Sequence, residues 1–283
     1  MTTPHWKAFP HPSKDFDYPG AELEKAWPRL HRGDCEPFPD VAGLEALIAA
    51  APKLKPKMPL DEAAAVLQDA WRAYHRGDFA AAVELGLSVG LLGVNVAGKA
   101  TNIHATHLEA DEATKLALFQ RVAERAETLQ AAARGLANAW YLHAQALGRY
   151  SQGISIAKAL TQGLAGKVRA SLDAALAIAP KHADAHIALG TYHAEIVAKV
   201  GGMIGGLTYG ASKDEGVKHF ETALRLSPDS AVARIEYGNG LVMMFGNSKM
   251  KQAVALYEAA AKVAPADAME RLDVEQAKAE LED

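Results

Sequence analysis

Three late prolines, Pro180, Pro228 and Pro265, share one register, and that register limits the possible folds more than any other feature of the chain. Reading back from each gives Val168, Leu172 and Ala175; then Gly216, Phe220 and Ala223; then Ala253, Tyr257 and Ala260, always at the same intervals. Reading forward from the first two reaches Gly190 and Gly238, and Asn138 stands at the same distance before Gly148. Recurrence over this length is the mark of stacked helical hairpins. In each unit the glycine lets helix A approach helix B, and the alanine admits the next unit. The bulky residue fills the gap between them. Proline then stops helix B, because it has no amide hydrogen to continue the ladder. With 49% of 283 residues hydrophobic, the chain can bury such an array.

Upstream, the segment AYHRGDFAAAVELG (73–86) reads as the end of a helix A, a Gly77–Asp78 turn and a helix B. The spacing therefore predicts an all-α, right-handed solenoid with hairpins at about 61–94, 95–138, 139–180, 181–228 and 229–265. A charged amphipathic helix at 266–282 is suited to cap it. Ten of the 13 prolines precede residue 60, together with Trp6, Phe9, Phe16, Tyr18, Trp27 and Phe38. So many prolines forbid one long helix, and so many aromatics do not suit a solvated tail. Residues 1–58 are expected to form an arm, with short helices near 20–30 and 40–50, packed on a repeat domain spanning 59–283.

Two hairpins are too long for an ordinary unit, which leaves about 24 residues between its glycine and its proline. Residues 150–166 (YSQGISIAKALTQGLAG) and 199–216 (KVGGMIGGLTYGASKDEG) are accordingly read as inserts between helix A and helix B. The second lacks lysine and arginine at amphipathic spacing, so it is expected to fold back over the array or to meet a second copy of the chain. Over residues 139–265 the pattern resembles the tetratricopeptide repeat (TPR) family. The long inserts resemble the divergent repeats of the T component of TRAP transporters and of the regulator of microtubule dynamics family. The resemblance implies a non-enzymatic helical scaffold that binds a protein segment or a small ligand on its concave side. It also implies that the groove is lined at the positions matching Trp71, Tyr74, Gln145, Arg149, Thr191, Glu195 and Asn239. Such a groove could instead be filled by the N-terminal arm, held by those same residues.

Several short motifs suggest catalysis but do not complete it. Gly86-Leu87-Ser88-Val89-Gly90 matches a hydrolase nucleophile pattern, but that chemistry needs a strand-to-helix turn, and here the match falls in a helix B. Segment 93–101 (GVNVAGKAT) approaches a phosphate-binding loop, with Lys99 in place but Ala100 where a hydroxyl should hold magnesium. It is the basis of the competing reading, a nucleotide-binding enzyme; a ligand-binding accessory protein of a transporter is a third. Ser155 and Lys158 fit S-x-x-K without the companion triplet. His104 and His107, and His182, His186 and His193, recur at helical spacing, yet no carboxylate or cysteine completes a metal set. No catalytic residue, metal or cofactor is assigned.

Charge and segment composition narrow the partners. Net charge is −4 and no basic block stands out, so nucleic acid has no electrostatic landing site. No apolar run is long enough to span a bilayer. The first residues do not read as an export signal, and a single cysteine, Cys35, excludes an internal disulfide. A cytoplasmic protein with a protein or small-molecule partner is expected, with self-association through 199–216 as a further possibility.

Overall fold

The computed structural model describes residues 6–282, which contain helices and no strand. The arm carries α1 (Glu22–Leu30) and α2 (Val41–Ala50). Five hairpins follow. The first is α3 (Leu60–Arg76) with α4 (Phe79–Ser88), and the second is α5 (Val94–His107) with α6 (Glu112–Ala132). The third runs α7 (Ala137–Gln152), a short α8 (Ile156–Thr161) and α9 (Leu164–Ile178). The fourth runs α10 (Ala183–Val200), α11 (Gly202–Tyr209) and α12 (Lys213–Leu226). The fifth pairs α13 (Ala231–Phe245) with α14 (Met250–Ala260), and α15 (Ala268–Glu282) closes the chain. Both inserts thus contain a helix of their own.

Local chemistry sets these boundaries. Asp78, Asp111, Ser212 and Ser230 each accept a hydrogen bond from the backbone three residues on, satisfying a donor that the first helical turn leaves free. Gly77 ends α3 at φ +90°, a backbone conformation that L side chains rarely adopt. A Cβ there would also meet the Phe9 ring at 2.6 Å.

Packing within the repeats follows the small-against-large rule, with one departure. Phe220 of α12 is fully buried, and a Cβ at Gly190 would come within 2.7 Å of its ring. Gly238 faces Tyr257 in the same way at 3.1 Å. Gly148 is different: nothing lies within 4 Å of the position its Cβ would take. α7 and α9 pack on each other, but Gly148 itself borders a cavity instead of a bulky partner.

The last helix does more than cap. It packs on α13 and α14, and it also reaches back to α3 at the opposite end of the array. There Tyr74 Oη donates to Met269 Sδ at 3.0 Å, and Tyr18 Oη of the arm donates to the Ala266 carbonyl at 2.6 Å. Leu23, Trp27 and Leu30 of α1 are buried in the same apolar cluster as Trp71, Tyr74, Ala268 and Leu272. Burying an aliphatic or aromatic side chain of this size stabilises by about 1.5–3 kcal/mol. The arm is therefore part of the core.

Candidate ligand-binding groove

The stretch from His31 to Glu36 threads past the amino-terminal ends of α5, α7 and α10 and carries charge into the interior. Asp34, 2% exposed, accepts from Lys99 Nζ and lies 2.9 Å from His31 Nδ1. The positive charge of Lys99, assisted by His31, holds the Asp34 carboxyl well below the usual carboxylate range although burial opposes it. Glu36 accepts from Asn95 Nδ2 at 3.1 Å and from Asn138 Nδ2; burial, with Asp34 close by, pushes its pKa up to about 7. His182 Nε2 lies 2.9 Å from Asn138 Oδ1, and His182 Nδ1 accepts from the Ala185 amide at 3.1 Å. An imidazole that donates on one nitrogen and accepts on the other is neutral. Burial agrees, lowering its pKa to about 4. Gly33 completes the fastening. Its carbonyl accepts from the Asp184 amide at 3.0 Å, and a Cβ on it would collide with the Asp184 carboxylate.

This polar seam explains two of the groove positions. Trp71 and Tyr74 are 3% and 0% exposed. The Trp71 ring meets Trp27 at 5.7 Å and His31 at 4.6 Å, both edge-on, and Tyr74 is covered by Met269. The expected groove surface at these two residues is a correction: the arm and α15 fill that end, because two large aromatic faces left in water would forfeit their burial energy.

The other five positions come together. Gln145 and Arg149 of α7, Thr191 and Glu195 of α10, and Asn239 of α13 all line one cavity of roughly 390 Å³. Arg149 Nη2 donates to Glu236 Oε1 at 2.7 Å, and Thr191 Oγ1 donates to Glu236 Oε2 at 3.1 Å. Gln145 accepts from Asn102 at 2.8 Å, and Asn239 accepts from Tyr257 Oη at 2.7 Å. Ile103, Tyr141, Ile187 and Ile235 supply apolar wall, while Ile156 and Leu160 of α8 and Tyr209 of α11 bring the two inserts to the same cavity.

Three acidic cavity residues lie outside that set: Glu236, Asp184 and Asp273. Glu236 stands one turn before Asn239 and Asp184 two turns before Thr191, so helical spacing could have found both. Asp273 lies on the last helix, and no repeat register points to it. Burial and the neighbouring Glu270 and Asp267 carboxylates push the Asp273 pKa well up. Burial pushes Asp184 up to about 6 against the pull of Lys99. His107 Nε2 lies 3.5 Å from Asp273 Oδ1, but burial and Arg149 lower its pKa to about 4, so it stays neutral at physiological pH.

Other motif residues have structural places. Segment 94–101 is helical within α5, and Gly93 abuts the backbone of Gly86. Lys99 is turned into the interior toward Asp34, so no phosphate-cradling loop forms. Ser88 donates to the Leu85 carbonyl at 2.7 Å. The three α10 histidines diverge in partner: His182 holds Asn138, His186 Nδ1 meets His219 Nδ1 at 2.8 Å, and His193 Nδ1 accepts from the Ser212 amide at 3.2 Å. Among the described residues no group of three or more His, Cys, Asp or Glu side chains is placed to hold a metal. None of the described helices is long and apolar enough to cross a membrane.

No family model matches this chain. No curated protein matches it either. Among solved structures it is similar to TTC0263, a thermophilic TPR protein of Thermus thermophilus, with a TM-score of 0.54 and 17% identity over 77% of this chain and 99% of that one. A looser likeness, to the MamA protein, has a TM-score of 0.39 and 15% identity over 78% and 95% of the two chains. The first of these, with the helical hairpins described above, establishes a TPR-like helical-repeat fold for this chain.

Proposed function

We propose that this chain is a non-catalytic helical-repeat binding module whose cavity takes an amphipathic amine. The amine is either a small molecule or the end of a protein segment presenting a lysine or a free amino terminus. The carrying observation is an imbalance of charge. Among the described residues, the cations that border the cavity are each matched already: Lys99 by Asp34, Arg149 by Glu236, and Lys199 by Glu195. Asp184 and Asp273 have no lysine or arginine within ion-pair distance. A cation entering between apolar walls would meet these carboxyls and favour the charged form that burial opposes. The volume is in the range of small-molecule pockets, and its mixture of apolar wall with few polar groups is typical of them.

The test is calorimetric titration with hexylamine, hexanoate and a short lysine-ended peptide. Hexylamine or the peptide should bind and hexanoate should not. The double variant Asp184→Asn/Asp273→Asn should weaken amine binding by at least tenfold, about 1.4 kcal/mol. Equal binding of hexylamine and hexanoate would refute the reading, and the peptide arm separates the two sources of the amine.

A further inference from the structure

The two inserts and the helix ends beside them set cations next to exposed apolar side chains. Overall the protein has 30 basic and 34 acidic residues. Yet residues 151–172 contain Lys158, Lys167 and Arg169 with no Asp or Glu, while residues 196–216 contain Lys199 and Lys213 with Asp214 and Glu215, of which Glu215 pairs with Lys218. The same stretches expose apolar side chains: Ile156 and Leu160 of α8 are each 52% exposed, and Met203, Ile204 and Leu207 of α11 are 79%, 54% and 86% exposed. The inserts are neighbours in space. Both border the one cavity, Tyr192 Oη donates to the Tyr209 carbonyl at 3.1 Å, and Arg169 of α9 approaches Gly210 just past α11.

From this we infer that the rim formed by α8 and α11 docks on an anionic lipid surface, with Met203, Ile204, Leu207, Ile156 and Leu160 entering the headgroup boundary. Apolar side chains ringed by cations bind such interfaces by adding buried apolar area to electrostatic attraction. The sequence around α11 alone lacks cations at helical spacing, but the fold supplies them from the neighbouring insert. Lys158, Lys167 and Lys213 are exposed and form no ion pair among the described residues. Lys158 sits 5.7 Å over the Tyr150 ring and Lys213 4.9 Å over the Phe245 ring. Arg169 and Lys199 are partly neutralised, by Asp173 and Glu195. A second copy of the chain fits the rim less well. A two-fold contact would bring Lys158 and Lys167 against their own copies, with no carboxylate in residues 151–172 to meet them. Ile156 and Leu160 also line the cavity, whereas Met203, Ile204 and Leu207 do not, so the α11 variants test the rim apart from what the cavity binds.

Flotation of the full chain with phosphatidylcholine vesicles, with and without phosphatidylglycerol, tests it at about 0.1 M salt. The protein should float with the anionic vesicles only, and raising the salt should release it. Met203→Asp/Leu207→Asp should weaken binding by at least tenfold, and so should Ile156→Asp/Leu160→Asp. The substitutions Lys158→Ala, Lys167→Ala and Lys213→Ala should each cost about fivefold. These side chains are exposed, so circular dichroism and melting temperature should match the parent. Absence of anionic-vesicle binding overturns the inference, as does binding that none of these variants weakens. Concentration-dependent self-association that Leu207→Asp abolishes, without vesicle binding, would instead assign the rim to a contact between copies.

Discussion

His75 Nδ1 lies 2.9 Å from Asp267 Oδ2, joining the first hairpin to the start of α15 across 192 residues of sequence. Both side chains are almost fully buried, and Asp267 also caps α15 by accepting from the Glu270 amide at 2.8 Å. Replacing His75 with Leu keeps the bulk but leaves the buried Asp267 carboxylate with the Glu270 amide on one oxygen and no imidazole on the other. The expected loss is about 1–3 kcal/mol in a denaturant titration. A loss under a few tenths would mean that this contact does not hold the ends together.

The repeat glycines should separate into two classes. Gly190→Ala places a methyl against the Phe220 ring in a tight contact, and overpacking of this kind costs about 1–3 kcal/mol. Gly148→Ala meets open space inside a helix and should stabilise by about 0.5–1 kcal/mol. Melting curves of the two variants decide it, and a shift in the same direction for both would contradict the packing described.

Removing the arm should be ruinous. Trp27 is 6% exposed and stacks on His31 at 3.9 Å. Trp27→Ala is therefore expected to cost about 3–5 kcal/mol. Deleting residues 1–58 would bare the faces of Trp71 and Tyr74, and the product should aggregate. A truncated protein that remained monomeric with an unchanged spectrum would show that the arm is a removable plug.

Acid should destabilise the fold through its histidines. Burial lowers the pKa of His31, His107, His182, His193 and His219 to about 4 in the folded state, below the ordinary 6.5. Between pH 6.5 and 4 the unfolded chain binds more protons at these sites, so stability is lost as pH falls through that window. Glu36 and Asp184 act in the opposite sense, because their folded pKa values are raised to about 7 and 6 and protonation favours the folded form. Burial raises Asp273 and Glu270 as well, while His104, His143 and His186 are lowered with the other histidines, so eight groups outweigh four. The melting temperature should fall on going from pH 6.5 to pH 4, and His182→Asn should flatten part of that slope.

Sequence made the repeat legible because its markers are local. Proline ends a helix wherever it stands, and Gly190 and Gly238 answer to bulky partners within their own hairpins. Excess spacing between glycine and proline was enough to locate both inserts. Gly148 misled because it faces the cavity and not a bulky side chain of its own hairpin. The cavity was half visible: five of the positions that the family resemblance implied border it, whereas Trp71 and Tyr74 are covered by segments far away in sequence. No period of the chain encodes that Asp34 will meet Lys99, or that α15 will return to α3. The arm, the inserts and the returning helix are the parts that depart from the common repeat, and each is placed by contacts distant in sequence.

The return of α15 to α3 changes how the molecule should come apart. A linear array can fray from either end, one unit at a time, because each unit touches only its neighbours. Here the terminal units touch each other as well, through Tyr74 with Met269 and His75 with Asp267, and the amino-terminal segment is laced between them. Neither end is free to peel first. Slow hydrogen exchange should disappear from all five hairpins together, in a single cooperative step.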